Sequence, residues 1–432
     1  MNKELKYLYL ADSYDLVVGH PFELFYRGII RLFDPYKYYI HVECPKGMPF
    51  RRYYTFTPTI QDLGSYSLTL TLYDDDHNIV EQASTILNVW DSKVTLDKKL
   101  NVLCFGDSLT YNGVWVSEGF RLLNENNNYE LTDKFNYVGN CKITVDEKEL
   151  GYEGYGGWTW KSYVTNEVAT PKSNIWVEAK NHQITDEYQH SIWLNNNLEW
   201  ILETIEENRL KFKRGEKNTN ILPTVLSTFS LKNDPAIIIE STGYSFESKN
   251  PFWDNNQEKI DFKKYVKEFG CDDVDLVYIL LTWNGLYKPF NDEFSHHLDY
   301  AKIIIEELQQ SFPNAHISLL GIPLCSVTGG IAYSYGASGP YSDTFGEVTT
   351  AFNYNRALED FVKNYQNVSY TDVKSMFDTE YNMPYIEKNV NARSNIKEMI
   401  GVNGVHPSMD GYLQIGDVYY RTLIKDLHNL KK

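Results

Sequence analysis

The chain changes its hydrophobic rhythm early. Up to about residue 92, short runs rich in β-branched and aromatic residues recur: DLVVGHPFELFY, YKYYIHVEC, RRYYTFTP, SYSLTLTLYD and NIVEQASTILNVW. Turn-type clusters such as PKG and DDDHN separate them, and SYSLTLTLYD alternates apolar with polar, so one of its faces is buried. This pattern predicts a small all-β sandwich over 1–92. DLGSY at 62–66 has the Asp-x-Gly-x-Tyr form of an immunoglobulin-type tyrosine corner, which predicts that Tyr66 bonds back to nearby backbone. The polar stretch DSKVTLDKK (91–99) reads as a linker.

From residue 99 the rhythm is different. LNVLCF, LVYILL (276–281) and AHISLLGI (315–322) are continuous apolar runs, as in strands buried on both faces of a parallel sheet. WLNNNLEWILETIEENRLKFK (193–213) and YAKIIIEELQQSF (300–312) read as helices between them. The alternation predicts an α/β domain over 99–432, with a long insertion around 158–270.

Composition narrows the function classes. The 432 residues, 42% of them hydrophobic, suffice for two cores. A net charge of −17 disfavours phosphate backbones, so no nucleic-acid partner is expected. No apolar run is long enough to span a membrane, and MNKELKYLYLADSYD lacks the apolar stretch of a signal peptide. That leaves the location open: cytoplasm, export by another route, or a larger particle. The five cysteines have neither metal-ligand spacing nor a disulfide pattern. The 34 tyrosines suit surfaces that are half apolar and half wet, such as sugar sites and protein interfaces.

The chemistry concentrates at four places. NVLCFGDSLT (101–110) ends a buried strand on Gly106-Asp107-Ser108-Leu109, where a tight turn presents a serine hydroxyl and backbone N–H groups at a strand's carboxyl end. GYEGYGGWTW (151–160) is glycine-rich, LLTWNGL (280–286) places Asn284 after a buried strand, and Asn403-Gly404-Val405-His406-Pro407-Ser408 precedes a helical pattern. Together these resemble the four blocks of the GDSL/SGNH hydrolases over roughly 99–432. The resemblance implies an SGNH-type three-layer sandwich around a parallel sheet, with Ser108 as nucleophile and His406 as base. It also implies oxyanion donors from Gly154 (Gly156 or Gly157 in its place) and Asn284, and needs no metal or organic cofactor. His296 and His297 read as surface residues.

The family's last block carries Asp where this chain has Asn403. A carboxylate there fixes the imidazole tautomer, and its loss costs about 10⁴ in rate in a site built for it. Three arrangements follow: a Ser108–His406 dyad, another acid such as Asp372 or Asp378 reaching the ring, or a weak site. Trp158, Trp160, Trp176, Trp193, Trp200 and Trp253, with the Gly/Tyr-rich stretch 327–346, read as the rim of a cleft suited to sugar rings. A β-sandwich joined to such a domain resembles two-domain carbohydrate acetylesterases, implying an acylated carbohydrate or other small ester as substrate. The other class is a phage-tail or surface-associated glycan-binding or structural protein with weak or vestigial esterase activity. Its N-terminal domain would attach it to a larger assembly.

Overall fold

A computed structural model describes residues 7–166, 175–180, 184–206, 209–216, 228–246, 249–288, 290–326 and 344–430. The stretch 327–346 therefore lies outside the described residues except for its last three. Two compact units are present: Met1–Lys161 with Phe262–Lys432, and Ser162–Asp261.

The first unit is built on a mixed sheet. Leu100–Gly106 lies at its centre, pairing in parallel with Leu276–Leu280 on one side. On the other side its first half pairs with Phe135–Val138 and its end with Lys148–Gly154. His316–Leu320 and Val368–Thr371 extend the sheet in parallel, and Cys141–Val145 closes the far edge antiparallel to Lys148–Gly154. Leu276–Leu280 is buried at every position, as its unbroken apolar text predicts. The helices Val114–Asn126, Ser295–Ser311, Thr344–Val362 and Met409–Asn429 supply the amphipathic partners. Ser408 caps the last by accepting from the Gly411 N–H at 3.4 Å.

The strands expected in the N-terminal region form as two sheets. One runs Ser13–Val17, Ile79–Trp90, Gly64–Tyr73, Tyr39–Glu43; the other joins Phe22–Phe25, Tyr53–Phe56 and Met48–Pro49. Among the described residues the Tyr66 hydroxyl makes no hydrogen bond to backbone, so the tyrosine corner is not found. The Tyr66 ring meets Phe56 edge-on with the Lys46 ammonium 5.6 Å from its centre. It is Tyr54 whose hydroxyl donates to backbone, at Lys46 O, 2.6 Å away. These sheets do not form a compact unit of their own. Tyr14 OH donates to Asp372 at 3.0 Å, and Tyr9 OH to Glu359 at 2.8 Å. Arg52 reaches both Asp378 and Glu380 at 2.6 Å. The stretch read as a linker is also held down, with Val94 buried and its N–H donating to Asn127 Oδ1 at 2.9 Å.

The second unit corrects the helix expected at 193–213. That stretch forms three strands, Ile192–Asn195, Leu198–Ile205 and Arg209–Arg214, within a closed six-stranded barrel. Asn196 and Asn197 adopt φ of 48° and 65°. Two consecutive left-handed residues make the turn that a two-residue hairpin requires, and asparagine accepts that conformation readily. Trp193, Trp200, Phe212 and Phe229 fill the barrel core.

Candidate active site

The site begins where the central strand runs out. A side chain at Gly106 would collide with Leu280 O and the Thr110 hydroxyl, so only glycine lets Leu276–Leu280 lie this close. The chain then turns over Asp107–Tyr111, with the Thr110 and Tyr111 N–H groups donating to Asp107 O at 3.0 and 3.1 Å. This turn lifts Ser108 half out of the core. The Ser108 N–H makes no hydrogen bond among the described residues.

His406 arrives from the other end of the chain, in the loop before the last helix, and its Nε2 lies 2.9 Å from Ser108 Oγ. Burial pushes the ring below its ordinary pKa, so it is neutral at physiological pH. Its Nδ1 faces Asn403 Nδ2 at 3.3 Å. The Asn403 oxygen is turned the other way, accepting from the Val405 and His406 N–H groups at 3.0 and 2.9 Å. Among the described residues no carboxylate bonds to the ring. Asp372 is bound by Tyr14, Tyr370 and Ser375, and Asp378 by Arg52 and the Glu380 N–H.

Asn284 is brought to the same place. Its Nδ2 donates to Trp158 O at 3.0 Å and to Asp107 Oδ2 at 3.3 Å, while Tyr287 OH donates to its Oδ1 at 3.1 Å. The following residue, Gly285, has φ of 84° and sits over the half-buried ring of His297. His296 is exposed as expected, but His297 supports the Asn284 turn rather than facing solvent.

The glycine-rich block divides its labour. Gly154 is a buried strand residue whose missing side chain makes room for the Thr110–Tyr111 backbone, 2.6 Å from where a Cβ would lie. Gly157 is exposed, has φ of 81°, has open space where a Cβ would be, and its N–H makes no hydrogen bond among the described residues. Gly156 is likewise exposed.

Asp107 is the residue that motif reading passed over. Fully buried, it accepts from the Thr282 N–H at 2.7 Å, the Thr282 hydroxyl at 2.6 Å, the Leu109 N–H at 3.0 Å and the Asn284 amide. Burial raises its pKa to about 6 despite these donors. Its signal in the sequence was the acid within Gly106-Asp107-Ser108. Among the described residues, four of the six tryptophans read as a rim are buried instead. Trp193 and Trp200 are barrel core, and Trp158 and Trp160 are buried, the latter donating to Tyr354 OH at 2.7 Å. Trp176 lies under the Arg209 guanidinium, 4.5 Å from the ring centre. Tyr111, whose N–H also reaches Ser108 O at 3.3 Å, is 66% exposed.

No protein-family profile and no curated protein matches the chain. Among solved structures, similar ones include a carbohydrate esterase family 3 enzyme from Talaromyces cellulolyticus (13% identity, 76% of this chain and 99% of that one, TM-score 0.33). A carbohydrate esterase family 2 enzyme with its carbohydrate-binding domain, from Corynascus thermopiles, is matched over 98% of this chain and 93% of that one at 10% identity and TM-score 0.31. A carbohydrate acetylesterase family member from Sinorhizobium meliloti is matched over 76% and 99% at 12% identity and TM-score 0.33.

Proposed function

We propose that the chain is a serine ester hydrolase, with Ser108 as nucleophile and His406 as its proton acceptor, acting on O-acyl groups of a carbohydrate. The observation that carries this is the 2.9 Å approach of His406 Nε2 to Ser108 Oγ, at the end of the central strand. In the reaction His406 takes the Ser108 proton as Oγ attacks the ester carbonyl, and it protonates the leaving alcohol. The oxyanion is held by the N–H groups of Ser108 and Gly157. The role that the sequence pattern gives to Gly154 passes to Gly157, because Gly157 faces open space. Asn284 joins them by exchanging its longer contact, the one to Asp107, for the oxyanion. Water activated by His406 then clears the acyl-enzyme. Tyr111 offers the exposed ring on which a sugar would stack.

The test compares the chain with Ser108→Ala on p-nitrophenyl acetate and treats both with an organophosphonate. Hydrolysis and a covalent adduct on Ser108 in the first protein alone are expected. Equal behaviour of the two would sink the ester reading. Release of acetate from acetylated polysaccharide addresses the carbohydrate class, and turnover restricted to lipid esters would refute it. The second reading, a glycan-binding protein with little turnover, is favoured by one observation: the group beside His406 Nδ1 is an amide nitrogen, not a carboxylate.

A further inference from the structure

The amide of Asn403 has a fixed sense. Its oxygen accepts from two backbone donors, Val405 N–H at 3.0 Å and His406 N–H at 2.9 Å. Flipping the amide would point its hydrogens at both of those donors, so the hydrogen-bond network assigns NH₂ to the side facing the ring. An amide nitrogen has only hydrogens to offer. It therefore pairs with a bare, lone-pair-bearing Nδ1, 3.3 Å away. In a neutral imidazole the remaining proton then lies on Nε2, the atom 2.9 Å from Ser108 Oγ.

We propose that Asn403 holds neutral His406 in this Nε2–H form, so that the Ser108–His406 contact rests in the wrong direction for catalysis. Nε2 donates to Ser108 Oγ, whereas nucleophile activation requires Nε2 to accept the serine proton. Turnover proceeds only through the minor Nδ1–H form, in which two N–H groups confront each other across the Asn403–His406 contact. Asn403 is thus a positioning residue that throttles the site. The proposal rests on reading Ser108 and His406 as the ester-cleaving pair. An aspartate at 403 would reverse the arrangement: one carboxylate oxygen keeps the two backbone donors and the other accepts from Nδ1–H.

Two measurements on the full chain test this. Nitrogen-15 NMR of the imidazole rings above neutral pH, with His406 assigned by comparison with His406→Gln, should find the proton on Nε2, and on Nδ1 in Asn403→Asp. The same variant should raise kcat by between about 10²-fold and about 10⁴-fold. The acid limb of its pH profile should move upward, because a carboxylate beside the ring favours the imidazolium. A proton found on Nδ1 in the unsubstituted chain, or Asn403→Asp no faster, would overturn the proposal. If neither protein hydrolyses any ester or labels Ser108, the ester reading fails while the NMR still decides where the proton sits.

Discussion

Asp107 and Thr282 are joined twice, the carboxylate accepting from the Thr282 N–H at 2.7 Å and from its hydroxyl at 2.6 Å. The pair ties the turn that carries Ser108 to the loop that carries Asn284, whose amide reaches the same carboxylate oxygen. In Asp107→Asn, one of the two oxygens becomes an NH₂ group facing donors, and the Asn284 loop loses its anchor. Turnover should fall by between about tenfold and about 10²-fold, chiefly in kcat, because the donors proposed for the oxyanion are displaced and not the surface proposed for the sugar. An unchanged kcat would contradict this role.

The same carboxylate gives the protein a pH signature. The folded state holds the Asp107 proton up to about 6, against an ordinary value of 3.8, because burial penalises the charge. The stability that this group contributes is therefore full below its ordinary value and is lost as pH rises through about 6. The loss amounts to about 3 kcal/mol. Asp107→Asn should flatten that part of the curve of stability against pH. Activity should move the other way, falling below about pH 6 as Asp107 protonates and releases one of its donors. Burial holds His406 below its ordinary value as well. An acid limb that survives unshifted in Asp107→Asn would assign it to His406 instead.

Different parts of the molecule were legible to different depths. The parallel strands could be read because a strand buried on both faces has no competing explanation for LVYILL or NVLCFG. Ser108, Asn284, Asn403 and His406 could be placed because each sits at a strand end or before a helix, and the fold brings them together. The barrel could not be read. WLNNNLEWILETI contains good helix formers, and only the left-handed Asn196-Asn197 pair shows that the chain reverses there. Gly154 and Gly157 could not be told apart either, since close packing at Gly154 and a positive φ at Gly157 both call for glycine, and only geometry shows which one faces open space. The direction of the Asn403 amide depends on two backbone donors that no motif encodes.

The barrel core predicts a stability effect of its own. Trp200 is fully buried, opposite Trp193 across the hairpin, edge-on to Phe229 and under the Arg214 guanidinium at 4.9 Å. Trp200→Ala should cost about 3–5 kcal/mol, since a large ring leaves a cavity the closed barrel cannot fill. Hydrogen exchange in the strands between Ile175 and Phe246 should accelerate, and Trp200→Phe should recover most of the protection. Unchanged exchange would show that the ring is not the keystone of the unit.

Glu380 makes the last prediction. Its carboxylate takes Arg27 Nε at 2.8 Å and Arg52 Nε at 2.6 Å, with Tyr36 OH at 3.2 Å. Burial pushes its pKa up, but the hydrogen bonds and charges of the two arginines outweigh that and hold it below its ordinary 4.5. Removing the carboxylate in Glu380→Ala leaves Arg27 with no carboxylate partner and Arg52 with Asp378 alone, and should cost about 3 kcal/mol at neutral pH. A depressed carboxylate contributes stability above its ordinary value and loses that contribution as pH falls through its folded value. The difference between the two proteins in urea should therefore shrink as the solution is acidified below about pH 4. A difference that stays constant with pH would mean that the alanine acts by lost packing alone, and that the two arginines are satisfied without Glu380.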